Sequence, residues 1–392
     1  MTGLKKKHIP VSFRVKEDLR KKITGGKIKP GEFLPSEMVL SQQYGISRVS
    51  VRDALRELVT EGLIHKIPGK GNLVVDEKLR RSLEREYTSN EKSIALISGD
   101  IKSGFLPYLI DGIEEEISRS GYHLIFKQHK DNFEEAERII NSFRDAGIKG
   151  VIFIPISSDE GYEEKNRELI KLLQKEEVPF VLTDRYLKDS SEDFVVVDNR
   201  KGAYEVTSYL LNSGHRRIGV IRGLLCSSVE DRLAGYKEAL EEKGVDFDPA
   251  LIQGIGKEKV QNREEETKRV IKFLLSLKNP PTAIFALNDT QARDIMAVLL
   301  KEGIRIPQDI SLVGFDDLPS SEFLSVPLTT VRQPFKEEGK KAAELIIKKI
   351  EEGISEQKQI FLEPSLIIRE SSMKIENVVA EIALPKKCRG GD

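Results

Sequence analysis

The 392-residue chain has little of the chemistry that builds disulfide frameworks or metal centres. It contains only two cysteines, Cys226 and Cys388, and its five histidines are scattered along the sequence. Two cysteines do not make a disulfide framework, and the histidines lack the spacing that zinc ligands require. We therefore predict no metal site and no cofactor.

The sequence also lacks the long apolar runs that are typical of membrane-spanning segments. No segment is apolar over the length needed to span a bilayer, and no apolar core follows the basic Lys5-Lys6-Lys7. We expect no membrane partner and a cytoplasmic location. The length and the 39% hydrophobic content predict two or three globular domains.

Signatures of catalysis are missing as well. No Gly-x-Gly-x-x-Gly follows an apparent strand, and Pro68-Gly69-Lys70-Gly71 does not match a phosphate loop. Cys226 has no base near it in sequence, and His215 precedes a strand, where a solvated or capping role is expected. We predict no catalytic residues.

Charge is distributed unevenly between the two ends. The net charge is −1, but residues 1–80 contain 17 Lys or Arg and 9 Asp or Glu, a balance of +8, which leaves −9 for the remainder. A basic terminal module on an acidic body favours binding of nucleic acid by one end.

The most informative stretch of the basic module is 34–75. Ser47 suits a helix N-cap, the apolar Val51, Ala54, Leu55 and Leu58 recur with helical spacing, and Gly62 suits a helix end. Before it, Ser36 can cap a helix whose Val39 and Leu40 face inward. After it, short apolar runs flank a Gly-rich turn and predict a hairpin. Together these features predict a winged helix-turn-helix with a basic helix end.

These residues resemble the winged helix of the GntR family of bacterial transcription factors. The matching motifs are Leu34-Pro35-Ser36-Glu37, Gly45-Ile46-Ser47-Arg48, Val51-Arg52-Asp53-Ala54-Leu55, Glu61-Gly62-Leu63-Ile64 and Gly69-Lys70-Gly71. The resemblance implies an α+β DNA-binding domain over residues 1–76. The DNA-contacting residues that we predict are Ser36, Arg48, Ser50, Arg52, Gly69 and Lys70.

Residues 77–93 are mostly charged, and we interpret them as a linker. Beyond them, short apolar strands alternate with amphipathic helices, a pattern typical of parallel sheets covered on both faces. Two such series predict two lobes with a cleft between them. Polar pairs follow several strands: Asp184-Arg185, Asn288-Asp289 and Asp316-Asp317. Ligands bind at such strand ends, and mixed donors and acceptors suit a sugar. Each residue taken alone is better explained as a helix cap or a surface ion pair, and it is their joint appearance at strand ends that favours a ligand site.

Residues 94–370 resemble the effector domain of the LacI/GalR repressors, which is built like periplasmic sugar-binding proteins. The matching motifs include Gly214-His215-Arg216-Arg217-Ile218, Arg232-Leu233-Ala234-Gly235-Tyr236, Val313-Gly314-Phe315-Asp316-Asp317 and Leu328-Thr329-Thr330-Val331-Arg332-Gln333. The resemblance implies an α/β domain that binds an effector and dimerises. The effector contacts that it implies are Phe105, Asp184, Arg185, Arg232, Asn288, Asp316 and Gln333. Phe105 is expected to stack on a sugar face, although plain packing would also explain it.

The combination of the two modules resembles the AraR-type arabinose repressors. It implies a homodimer that binds palindromic operator DNA and is released by a small-molecule effector, with L-arabinose as the first candidate. Another sugar or a purine stays open as the effector. A sugar-processing enzyme fused to a DNA-binding domain and a DNA-architectural protein are the alternative classes. Residues 371–392 lie beyond the resemblance, and we assign them no role.

Overall fold

The computed structural model describes residues 11–67, 70–76, 79, 92–102, 104–143, 147–256, 263–353 and 357–375. The chain divides into two compact units, residues 1–91 and 92–392, each of which has its own core. None of the helices among these residues combines the length and the apolar content needed to cross a bilayer.

The first unit has the predicted order of three helices and a hairpin. These elements are α1 (Val11–Thr24), α2 (Glu37–Tyr44), α3 (Arg48–Thr60), β1 (Ile64–Ile67) and β2 (Gly71–Val74). The two strands are antiparallel and pair Ile64 with Val74. The Ser36 side chain caps α2 by accepting a hydrogen bond from the Val39 amide, and the Ser47 side chain caps α3 by accepting one from the Ser50 amide. The winged helix-turn-helix therefore has the local signals that the sequence predicts.

The core of this unit is the apolar stripe of α3 packed on α1 and the hairpin. Val51, Ala54 and Leu58 are completely buried, and Gly62 follows α3 with a φ of 69°, as expected of a left-handed helix end. One expectation about α2 is wrong. Leu40 is buried, but Val39 is 45% exposed, because a helix of only eight residues turns a single face to the core.

The first lobe of the second unit is a six-stranded parallel sheet covered by helices. The sheet order is β13-β7-β6-β5-β3-β4. Its strands are β3 (Ser93–Ser98), β4 (His123–Gln128), β5 (Ile148–Phe153), β6 (Phe180–Thr183), β7 (Phe194–Val197) and β13 (Gln359–Leu362). Its helices are α4 (Leu106–Arg119), α5 (Phe133–Asn141), α6 (Tyr162–Lys175) and α11 (Phe335–Glu352). Every residue of β3, β6 and β7 is buried, as expected of strands with helices on both faces.

The second lobe contains a four-stranded parallel sheet in the order β11-β10-β8-β9 and an antiparallel pair, β12 and β14. The strands are β8 (Ile218–Arg222), β9 (Ile252–Gly254), β10 (Ala283–Ala286), β11 (Ser311–Val313), β12 (Thr330–Arg332) and β14 (Ser365–Ile367). The helices are α7 (Asn199–Asn212), α8 (Ser227–Glu242), α9 (Arg263–Ser276) and α10 (Asp289–Lys301), and Pro249–Leu251 and Pro319–Glu322 form 3-10 turns.

The chain passes between the lobes at three places among the described residues. Asp198 joins β7 to α7, Gln333-Pro334 joins β12 to α11, and Glu363-Pro364 joins β13 to β14. The first and third crossings are linked, since the Asp198 amide donates to the Leu362 carbonyl (2.9 Å). We refer to these three crossings together as the hinge between the lobes.

The segment 371–375, which we expected to belong to the tail, packs against the second lobe. The Ser371 hydroxyl donates to the Leu312 carbonyl (2.6 Å), and the Ile375 amide donates to the Ser213 carbonyl (2.8 Å). His215 is buried against this segment and not solvated, with Nε2 3.2 Å from the Met373 carbonyl. The remaining tail, 376–392 with Cys388, lies outside the described residues.

Candidate nucleic-acid interface and ligand cleft

The N-terminal end of α3 presents three of the six residues predicted to contact DNA. Arg48, the first residue of α3, is exposed, and Ser50 lies with its hydroxyl 3.0 Å from that of the capping Ser47. Arg52 is one turn further on and is also exposed. The unpaired amides of a helix start favour anions, and guanidinium groups bind phosphates or guanine edges. This end of α3 has the chemistry of a DNA-contacting surface.

Arg52 is held by a residue that the sequence analysis did not single out. Its guanidinium forms an ion pair with Glu37 at the start of α2, with Nη2 3.0 Å from Oε2. The hydrogen bond from Arg52 lowers the pKa of Glu37, and the nearby charges of Lys66 and Arg48 lower it further. Glu37 therefore gathers cations from α3 and the hairpin around one carboxylate. The Leu-Pro-Ser-Glu motif contains this residue, but sequence spacing does not reveal its partner.

The other predicted DNA contacts differ in what the structure shows. Ser36 caps α2 through Oγ, 3.3 Å from the Val39 amide, so its hydroxyl already has a structural partner. Lys70 is exposed beside the hairpin turn, and Lys66 is exposed on β1. Gly69 lies outside the described residues. The described part of this surface thus combines the α3 end with two lysines of the wing.

All seven residues predicted to contact an effector line one cavity of about 800 Å³ in the second unit. They come from both lobes: Phe105, Asp184 and Arg185 from the first lobe, Arg232, Asn288 and Asp316 from the second, and Gln333 from a crossing. Parallel strands end at the same edge of a sheet, so polar residues after different strands meet there. The cavity has the mixture of carboxylates, amides and guanidinium groups that the strand ends suggested.

The first-lobe wall is organised around Arg185. Its Nη1 donates to Asp131 Oδ1 (3.2 Å) and to the Pro155 carbonyl (2.8 Å), and its Nε lies 3.1 Å from Asp184 Oδ2. Asp184 has a φ of 63°, and its amide donates to Glu338 Oε1 (2.7 Å). Burial raises the pKa of Asp184, while the charges of Arg185 and Arg232 oppose that rise. The guanidinium is fixed from three sides and points a rigid polar surface at the cavity.

The second-lobe wall is organised around Asp316, which is 6% exposed. Gln333 Nε2 donates to Asp316 Oδ1 (2.7 Å), and Arg232 Nη1 lies 4.0 Å from the same oxygen. Arg232 also donates through Nε to Asn199 Oδ1 (2.8 Å) and stacks over the Phe315 ring at 3.9 Å. Burial raises the pKa of Asp316 to about 8, against the lowering effect of Arg232. This carboxyl group therefore gains or loses a proton near neutral pH.

Asn288 and Phe105 have structural roles in addition to lining the cavity. Asn288 caps α10, since its Oδ1 accepts the Gln291 amide (2.8 Å). The Phe105 ring stacks on Phe335 with centroids 5.2 Å apart. The purely structural roles considered for these two residues, helix capping for Asn288 and packing for Phe105, both occur. They do not compete with ligand contact, because both residues also border the cavity.

Several residues of the cavity were missed by the sequence analysis. Asp131 and Ser157 follow β4 and β5 at the same sheet edge as Asp184, so the strand-end signal that identified Asp184 would have found them. Gln291 lies within α10, where no strand-end signal applies. Glu338 lies on α11 behind the cavity and is 1% exposed. No group of His, Cys, Asp and Glu side chains in the described ranges is arranged to hold a metal ion.

A winged helix with a basic face, joined to a two-lobed α/β domain that encloses a polar cleft, defines a ligand-responsive transcriptional regulator. Two family patterns match the chain: "Bacterial regulatory proteins, gntR family" over residues 12–74, and "Periplasmic binding protein-like domain" over residues 207–372. The fold is shared with a solved structure described as a putative transcriptional regulator LacI from Bacillus cereus subsp. cytotoxis. That structure is 28% identical with a TM-score of 0.65, and it covers 73% of this chain and 100% of its own.

Some relatives match the chain over nearly its full length. An arabinose metabolism transcriptional repressor of Geobacillus stearothermophilus is 30% identical over 95% of this chain and 100% of its own. A second repressor of that name, from Halalkalibacterium halodurans, is 29% identical over 93% of this chain and 96% of its own. The chain belongs to this family of transcriptional repressors, in which a GntR-type winged helix precedes a LacI/GalR-like domain.

Proposed function

We propose that the chain binds a near-palindromic operator as a homodimer and leaves it when a neutral sugar occupies the cleft, with L-arabinose as the leading candidate. A repressor of this kind acts in the cytoplasm and has no catalytic activity of its own. The observation that carries the proposal is the convergence of seven polar or aromatic side chains from both lobes on one cavity. The names of the two full-length relatives support arabinose over other sugars.

The charges around the cavity favour a neutral ligand. Its lining contains five cations, Lys102, Lys130, Arg185, Arg232 and Arg263, and five carboxylates, Asp100, Asp131, Asp184, Asp294 and Asp316. Because Asp316 is mostly protonated below pH 8, a phosphorylated or carboxylate effector would meet five cations and at most four ionised carboxylates. A sugar, whose hydroxyls both donate and accept, satisfies either type of group. Charges this closely balanced add little to the binding of an anionic or a cationic ligand.

The aromatic content favours a sugar over a purine. Phe105 is the only aromatic side chain among the described residues that line the cavity. One ring suits the apolar face of a monosaccharide, whereas a purine base has two faces that stacking would cover. A relative described as an HTH-type transcriptional repressor PurR, from Vibrio atlanticus, is 28% identical over 85% of this chain. A purine therefore belongs in any test as a competing ligand.

The first test is a thermal-shift screen of the full-length chain with L-arabinose, D-xylose, D-ribose, D-galactose and hypoxanthine. A ligand that binds only the folded state raises the unfolding temperature by mass action. We expect L-arabinose to give the largest shift at equal concentration. A larger shift with another sugar would replace arabinose, and a shift with hypoxanthine alone would refute the sugar proposal. Sugars recovered unchanged after long incubation would separate a sensor from a sugar-processing enzyme.

The second test concerns DNA. Selection from a random duplex library should enrich a near-palindrome, because two winged helices related by a two-fold axis contact two half-sites. Arg52→Ala and Arg48→Ala should each weaken binding to that duplex, and Arg305→Ala, an exposed cation of the second unit, should not. Light scattering should show a dimer on the duplex. A monomer on DNA, or full affinity of both arginine variants, would contradict the assignment.

A further inference from the structure

Gln291 occupies the cleft without a role in the site described above. It is the third residue of α10, its backbone amide donates to the capping Asn288, and the residue is 8% exposed. Asp294 and Ile295, one helical turn further on, line the same cavity. Residues three and four apart share a helix face, so Gln291 belongs to the α10 face that forms this wall.

The amide oxygen of Gln291 is buried and has no hydrogen-bond partner among the described residues. Buried acceptors in folded proteins are paired with few exceptions, because desolvation without a new bond is costly. Its amide nitrogen lies against Gly223, where an added Cβ would come within 3.3 Å of it. The side chain is thus confined, and its acceptor has no protein donor within that confinement.

Neighbouring groups on this wall are already engaged with each other. Asp294 pairs with Arg263 Nη1 (3.4 Å) from α9 and with Arg293 Nη2 (3.0 Å). Thr267 of α9 also lines the cavity and is 1% exposed. A ligand that enters this end therefore meets a neutralised carboxylate, and it reaches the unsatisfied acceptor of Gln291 once the side-chain amide turns toward the cavity, because the oxygen has almost no exposed surface in the empty cleft. Such an acceptor selects a hydrogen-bond donor and not a cation.

We propose that Gln291 is a specificity-determining residue of the cleft, whose amide oxygen accepts a hydrogen bond from one hydroxyl of the bound sugar. This inference rests on the proposed function, since it requires that the cleft binds a sugar. A site with a buried acceptor rejects an analogue that lacks the matching hydroxyl, because the acceptor then remains unpaired in the complex. Gln291 therefore selects among sugars that fit the cleft equally well.

The test compares three variants of the full-length chain by calorimetry with L-arabinose and with its monodeoxy analogues. Gln291→Met keeps the side-chain length but removes the acceptor, and we expect it to weaken L-arabinose binding about tenfold, which corresponds to about 1.4 kcal/mol. The parent should reject one deoxy analogue more strongly than Gln291→Met does. Gln291→Glu keeps an acceptor oxygen at the same reach and should retain that discrimination. Gln308→Met, at an exposed glutamine of the same lobe, should behave as the parent.

Thermal unfolding without ligand provides an independent measurement. Gln291→Met should unfold no earlier than the parent, because it removes a buried unpaired acceptor from the empty chain. Parent-like affinity and selectivity in a folded Gln291→Met would overturn the inference and leave the proposed function intact. A parent that binds no sugar overturns both. Should Gln291→Met fail to fold, loss of discrimination in Gln291→Glu would overturn the inference.

Discussion

Asp316→Asn is the perturbation that separates effector binding from the rest of the molecule. Asparagine has nearly the same shape and keeps an oxygen that accepts from Gln333 Nε2, now 2.7 Å away. It also removes a carboxylate that burial makes costly to ionise. We therefore expect the variant to fold and to bind the operator like the parent when no sugar is present.

Its effect on sugar binding follows from the lost charge. A hydrogen bond to an ionised group contributes about 1.5–3 kcal/mol, roughly twice that of a neutral one. Exchanging one or two such bonds from sugar hydroxyls for neutral ones should weaken L-arabinose binding by about 1.4 kcal/mol or more, at least tenfold. The response of operator binding to sugar should weaken in proportion, because an effector shifts the equilibrium only through its differential affinity.

The same residue predicts how sugar binding depends on pH. With a pKa of about 8 in the empty cleft, Asp316 is mostly protonated at pH 6. Sugar hydroxyls that donate to it favour the ionised form, so binding below pH 8 must release the proton. That release costs about 1.4 kcal/mol per pH unit below 8, so the affinity of the parent should rise by up to roughly tenfold per pH unit between 6 and 8. The Asn variant should lose this rise.

Calorimetry at pH 6, 7 and 8, in buffers of different ionisation enthalpy, measures both affinity and the protons released. Asp246→Asn, at an exposed position of the same lobe, is the matched control and should keep the pH dependence. An Asp316→Asn variant that binds L-arabinose as tightly as the parent at pH 8 would remove Asp316 from the site. A parent affinity that falls with rising pH would mean that protonated Asp316 donates a hydrogen bond to the ligand instead.

Four further predictions concern other parts of the chain. In fluorescence anisotropy on the selected duplex, Arg52→Ala should lose roughly 10- to 100-fold in affinity. Glu37→Gln should bind non-specific DNA more tightly than the parent, because Arg52 no longer has to leave a carboxylate to reach a phosphate. Weaker non-specific binding by Glu37→Gln would contradict the role of Glu37 in holding Arg52. Burial and the nearby charge of Asp184 raise the pKa of Glu338, so the folded chain holds a proton that the unfolded chain releases above about pH 4.3. The stability that this adds is complete below that pH and is lost as the pH rises through the raised pKa; chemical unfolding between pH 5 and 8 should show a steeper decline for the parent than for Glu338→Gln, and equal slopes would refute the assignment. Gly235→Ala should destabilise the second unit by about 1–3 kcal/mol, because the new Cβ would lie 2.0 Å from the Arg200 carbonyl and force α7 and α8 apart; an unchanged unfolding temperature would show that the helices yield without cost.

The winged helix was predictable from sequence because its signals are local. The Ser47 cap, the stripe through Val51 and Leu58, and the glycine stop act within one helix, and each is found where the spacing put it. Local signals fail for α2, where helical spacing does not tell which of two adjacent apolar residues faces the core. Val39 is exposed there because α1 and α3 cover only the Leu40 side.

The residues of the cleft likewise fall into those that local sequence signals predict and those that only tertiary contacts identify. Residues after strands, such as Asp184 and Asp316, are predictable because parallel strands bring their carboxyl ends to one edge. Gln291 and Glu338 lie within helices, and their positions beside the cleft depend on tertiary contacts that helical spacing does not predict. From sequence alone, a glutamine in a helix such as Gln291 is expected to be solvated at the surface. Glu338, which follows Glu337, is expected to be one more charged residue on a polar helix face. Only packing reveals that each is buried beside the site.

The hydrogen bonds of the cleft connect ligand contact to hinge movement. Arg232 bonds Asn199 directly after the first crossing, and Asp316 accepts from Gln333 at the second. The first crossing is bonded in turn to the third through the Asp198 amide. A ligand that draws on Arg232 or Asp316 therefore competes with groups that hold the crossings, and it cannot bind without changing the energy of the hinge. In the proposed function, in which sugar releases the operator, coupling of this kind is reciprocal, and an operator-bound arrangement that fixes the hinge weakens sugar binding by the same factor by which sugar weakens operator binding.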